Sequence, residues 1–149
     1  MKRFAVLFLL ILGLTAGVFA QQKTTVKSAS AARLLAGKHK LALQWISWDY
    51  FGSAVVKVNK GVYSVKGEQK SRENNDFVTV DGFITSISAK EFTFDGTIIT
   101  KISHINGGVA CERKGEMIFR ITGKRKYWRM QQIDNPCDVA ADYVDIFMR

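Results

Sequence analysis

Cysteine and proline are scarce in this chain of 149 residues, with two of the first and one of the second. No cysteine or histidine stands at the close spacing that grips a zinc ion, and His39 and His104 are far apart, so no metal centre is expected. Phosphate loops, nucleophile elbows and zinc-protease helices are missing as well. Ser103 adjoins His104, but neighbours on a strand point to opposite faces. Asp81 and Asp95 each precede a glycine, which is the ordinary make-up of a bend. With no convergent set of reactive groups, neither catalysis nor a cofactor is expected.

Acidic residues are absent ahead of Leu41, while Lys2, Arg3, Lys23, Lys27, Arg33, Lys38 and Lys40 all fall there. The formal charge of +9 is therefore concentrated at the start, and the rest is nearly balanced, so the overall charge alone does not argue for an anionic partner. No apolar run reaches the ~20 residues that a spanning helix takes. The run from Phe4 to Leu14 follows Lys2 and Arg3 and precedes Val18-Phe19-Ala20, the three-part pattern of a secretory signal. Residues 1–20 are expected to be cleaved after Ala20, leaving a secreted or periplasmic chain with no membrane span. In that setting Cys111 and Cys137 are expected to form a disulfide, clamping the segment from Tyr143 to Met148 onto the sheet.

What is present reads mostly as strands. Residues 21–32 are polar, small and basic, with no period that buries a face, and are expected to be a flexible leader ahead of a single domain over 33–149. Ser30 to Gly37 combines an N-cap serine, helix formers and a glycine stop, which predicts a short helix. From Lys38 the period becomes two, placing Leu41, Leu43 and Trp45 on one face. Val55 to Val58 and Val62 to Val65 flank Asn59-Lys60-Gly61, where asparagine and glycine are expected to supply the positive φ of a tight hairpin. Glu68 to Asp76 is the most charged stretch and is expected to be an exposed loop.

Phe77 to Ser88 and Glu91 to Ser103 read as longer strands, the second with Phe92, Phe94, Ile98 and Ile102 on one side. Val109 to Glu112 and Met117 to Thr122 are expected as strands around Arg113-Lys114-Gly115, followed by Lys126 to Ile133 and Tyr143 to Met148. Turn signals every ten or so residues point to an all-β fold, and closure into a small antiparallel up-and-down barrel of about eight strands removes exposed edges. A membrane barrel fits poorly, because Lys57, Lys66 and Lys101 oppose the apolar faces.

Leu35-Ala36-Gly37-Lys38-His39-Lys40-Leu41, a short helix running through glycine into the first strand, resembles the opening of a lipocalin-like barrel. In that family the residue two after the glycine is usually tryptophan; here it is His39. The resemblance implies a hollow barrel that holds a small apolar ligand, which Trp45, Phe92, Phe94 and Ile98 would line.

A second expectation concerns Lys124, Arg125, Lys126 and Arg129, interleaved with Tyr127 and Trp128. A cationic strand with aromatics suits an anionic polymer or an acidic surface on another exported protein. The competing reading is internal compensation by Asp134, Asp138, Asp142 and Asp145. Trp45, Trp48, Tyr50 and Phe51 are either core or an exposed recognition patch.

Overall fold

Period-two alternation runs through most of the chain, and it builds a closed β-barrel in the computed structural model, which describes residues 22–149. The expected signal peptide, residues 1–20, lies outside the described residues. After a two-residue strand β1 (Thr25–Val26) and one helix α1 (Ala29–Leu35), the chain lays down β2 (Gly37–Leu43), β3 (Gly52–Asn59), β4 (Val62–Lys70), β5 (Phe77–Ile87), β6 (Glu91–Lys101), β7 (Cys111–Arg120), β8 (Tyr127–Met130) and β9 (Val144–Phe147). Each strand from β2 onward pairs antiparallel with the next, and β9 returns to β2 through Leu41↔Ile146. The expected all-β up-and-down barrel with a short N-terminal helix is what forms.

The leader expected at residues 21–32 is instead docked over its described part. Val26 and Thr25 pair in parallel with Ile87 and Ser86, at the end of β5 that β4 no longer covers. Buried Thr24 fastens this junction: its hydroxyl donates to the Ile84 carbonyl at 2.5 Å and accepts the Tyr63 amide at 3.0 Å. Composition concealed this, because the segment joins by backbone pairing and one hydroxyl rather than by an apolar face. The helix begins earlier than expected, with Ser28 rather than Ser30 at the N-cap, accepting the Ala31 amide. Its Ala31, Ala32 and Leu35 close one end of the barrel.

Two turn expectations change. The β3–β4 hairpin turns on Lys60 and Gly61, both at positive φ, so it is the lysine and not Asn59 that adopts the left-handed conformation. No turn interrupts 113–115. The strand β7 runs straight through, with Gly115 opposite Gly96, and Arg113 turned inward to meet a buried carboxylate.

The segment expected as an exposed loop is partly strand and partly buried. Gln69 ends inside the barrel mouth, accepting the Leu43 amide at 2.7 Å and donating to the Tyr50 and Ser47 carbonyls. Buried Asp76 accepts from the Ser103 amide and hydroxyl. Charged composition therefore marked caps for backbone groups as well as solvent contacts.

The interior is filled. Phe92 stacks on Phe119 at 5.0 Å between centroids, Phe94 meets Phe119 edge-on, and Trp128 meets Phe92 edge-on. Gly82 and Gly96 face each other across β5 and β6, and a Cβ built on either would lie 2.8 Å and 2.6 Å from the Phe94 ring. These glycines, expected as bends, let the barrel wall approach that ring closely.

Candidate functional site

The two closed ends of the barrel bring together residues that the sequence keeps apart. At the loop end, the disulfide Cys111–Cys137 joins the start of β7 to the β8–β9 connection. It does not clamp the tail, because β9 is held between β2 and β8 by its own ladders. Beside it, Arg113 Nη1 lies 2.8 Å from Asp142 Oδ2, and Arg113 Nη2 donates to the Asp134 carbonyl. The Nη1 contact is ionic without hydrogen-bond geometry. Asp142 is wholly buried and also accepts from Asn135 Nδ2 and Trp45 Nε1, each at 3.0 Å.

Trp45 is therefore not barrel lining. The strand β2 ends at Leu43, and the indole lies on the loop end, 36% exposed and edge-on to His104. Phe92, Phe94 and Ile98 do face inward, at 1%, 0% and 0% exposure. A side chain so completely covered borders no space large enough for water, so these three fill the barrel rather than line a void.

The basic cluster divides in a similar way. Arg129 grips Asp145 through two 2.7 Å bonds, and its guanidinium lies over the Tyr143 and Tyr127 rings. The bond to Asp145 raises the Arg129 pKa further above its ordinary value. Burial pushes the Asp145 carboxyl up, and the bond to Arg129 only partly offsets that. Compensation thus holds for Arg129. Lys124, Arg125 and Lys126 are exposed, and among the described residues the salt bridges of the barrel do not include them.

Lys126 opens onto a groove on the outer wall, of about 520 Å³, that crosses β9, β2 and the start of β3. Lys38, Lys40, Lys126 and Arg149 surround it, Phe51, Phe147 and Met148 form its floor, and Ser53 lies at its edge. Among the described residues, no acidic side chain lines it. Alternation explains the placement: while His39 and Leu41 turn inward, Lys38 and Lys40 turn out. Phe147 is register partner to Tyr127, and the rings of Phe51, Phe147 and Tyr127 form a continuous strip with centroids 5.1 and 5.2 Å apart. Lys40 Nζ sits 4.9 Å over the Phe51 ring, and the Arg125 guanidinium lies over Tyr127 at 5.6 Å.

Beneath the groove, His39 joins the helix to the last strand. Its Nε2 is 2.7 Å from the Leu35 carbonyl and its Nδ1 is 2.9 Å from the Phe147 carbonyl. The ring also meets Trp128 edge-on. Arg149 donates to the carbonyls of Arg33 and Leu34, at the helix end where a cation is favoured.

Of the residues expected to bind anions, Lys126 lies in this groove and Arg125 beside it, while Arg129 is neutralised. Sequence reasoning missed Lys38, Lys40, Phe147 and Arg149. The signal for the two lysines lies in their alternation with His39 and Leu41, which a charge balance taken over everything ahead of Leu41 conceals. The expected aromatic patch splits, with Phe51 in the groove and Trp48 exposed on the loop end.

A model of the PM1083 family matches residues 23–148 of the chain. The uncharacterized protein PM1083 of Pasteurella multocida (strain Pm70) is 50% identical over 113 residues, which is 76% of this chain and 72% of the relative. No solved structure matches the chain significantly.

Proposed function

The chain belongs to the PM1083 family, and we propose that it is a non-catalytic binding module that acts after export and holds an anionic partner in the outer groove. The observation that carries this reading is the groove itself: Lys38, Lys40, Lys126 and Arg149 converge on a floor of Phe51, Phe147 and Met148, and among the described residues that line it none is acidic. A patch of one sign draws in a partner of the other and accelerates encounter. The disulfide supports export, since such bridges persist in oxidising compartments. Among the described residues no helix is long and apolar enough to cross a membrane.

The resemblance to lipocalin-like barrels suggested an apolar ligand inside. That reading would require Phe92, Phe94 and Ile98 to give way, and their coverage speaks against it. Native mass spectrometry of the purified chain is expected to show no added mass.

Retention on immobilised polyphosphate tests the proposal. Retention is expected to fall steeply with salt and to be lost when Lys38, Lys40 and Lys126 are replaced by serine. The charge-matched control, with exposed Lys27, Lys90 and Lys114 replaced instead, keeps it. Equal loss in both variants would reduce the effect to net charge and overturn the assignment of the groove.

A further inference from the structure

A second groove begins where the first one ends. Ser53 lines both. The second, of about 660 Å³ on the outer wall of β4, β5 and β6, presents the hydroxyls of Ser53, Thr79 and Thr97 together with Lys66, Glu68 and Asp81. Lys66 is paired with Asp81 at 3.1 Å, so this stretch carries no free excess of positive charge. Cations thus line one groove, and hydroxyls with lysine-paired carboxylates line the other, the two meeting at Ser53.

From that sequence of chemistries we infer that the two grooves together take an acidic polysaccharide in which charged units are interspersed with neutral sugars. This rests on the binding reading above and names its ligand class. Negative groups of such a chain meet Lys38, Lys40, Lys126 and Arg149, and its sugar hydroxyls meet Thr79, Thr97, Glu68 and Asp81. A carboxylate paired with a lysine keeps lone pairs that accept from sugar hydroxyls, while the paired lysine is no longer free to hold a second anion.

A nucleic-acid strand fits less well, for two reasons. It carries a phosphate on every unit, whereas Lys66 is taken up by Asp81 and Lys70 by Glu68, so the second groove offers those phosphates no unpaired cation. It also gains much of its affinity by stacking bases on open ring faces. Here Lys40 lies over Phe51, Arg125 and Arg129 lie over Tyr127, and Phe147 is met by both neighbouring rings. A polysaccharide can instead draw its affinity from hydrogen bonds between its hydroxyls and those of Ser53, Thr79 and Thr97, which need no open ring face.

The test is calorimetric titration of the full barrel with a hyaluronan octasaccharide, which alternates carboxylate and neutral units, and with an oligo-dT strand of equal charge. The octasaccharide is expected to bind at least tenfold more tightly. Replacing Thr79 and Thr97 by valine removes the hydroxyls and keeps strand-forming side chains. This double variant is expected to bind the octasaccharide about tenfold more weakly, as the loss of two hydrogen bonds implies, with polyphosphate retention unchanged. Equal affinity for the two probes, or an unaltered octasaccharide affinity in the double variant, overturns the inference. Polyphosphate retention that depends on the three lysines would still stand in that case. Loss of that dependence would instead remove the binding reading on which the inference rests.

Discussion

The barrel closes its two ends by opposite means. At the floor, α1 lays Ala31, Ala32 and Leu35 over the opening, and His39 ties helix to strand through backbone carbonyls. At the loop end the closure is polar and covalent: Arg113, Asp142, Asn135 and Trp45 form a buried network beside the Cys111–Cys137 bridge. The floor is assembled from residues within a few positions of each other plus one strand end. The loop end depends on partners distant in sequence, and a single lost partner there leaves a charge buried and unpaired.

That contrast predicts unequal sensitivity. Asp142→Ala should have the largest effect, about 3 to 5 kcal/mol, because Arg113 would stay buried without its counter-ion; chemical denaturation measures it, and a loss no larger than that of a surface substitution would place the network outside the energetics. Cys111→Ser comes next. The bridge spans a sequence separation of 26 residues, worth about 3.5 kcal/mol in loop entropy. Hydrogen exchange should show the freed region to be 131–142, with β9 amides still protected.

At the floor, His39→Leu keeps an apolar contact with Trp128 but removes the ring N–H that serves the Leu35 or the Phe147 carbonyl, and should cost about 1 to 3 kcal/mol. The smallest effect belongs to acid. Asp138 accepts the Asn106 and Val139 amides, which hold its pKa below the ordinary 3.8. A carboxyl lowered on folding stabilises above its unfolded value and loses that contribution as pH falls through the folded one. Protection of the Asn106 and Val139 amides, relative to their intrinsic exchange rate, should therefore fall as pH drops below about 3.8, while the His39 end keeps its own.

Local pattern accounts for what could be read from the chain. The alternation of Phe92, Phe94, Ile98 and Ile102 identifies the core face of β6, and the presence of two cysteines behind an expected export signal points to the bridge. Trp45 was misplaced because alternation continues past Leu43, where the strand stops and Asp142 captures the indole. Arg113 read as turn composition, since its partner Asp142 gives no local sign of facing inward. The groove was half legible. Lys126 was in view, but Lys38 and Lys40 meet Phe147 and Arg149 only because β9 folds back onto β2, across a separation such as the 108 residues between His39 and Phe147. Charge counted along the chain could not show that these cations share one face.

The most direct test of the outer-wall account is amide chemical-shift mapping of the labelled chain titrated with polyphosphate. Shifts confined to Lys38, Lys40, Ser53, Lys126, Phe147 and Arg149 are the predicted result. Shifts centred on Phe92, Phe94 and Ile98, or none near the groove at saturating polymer, would contradict it.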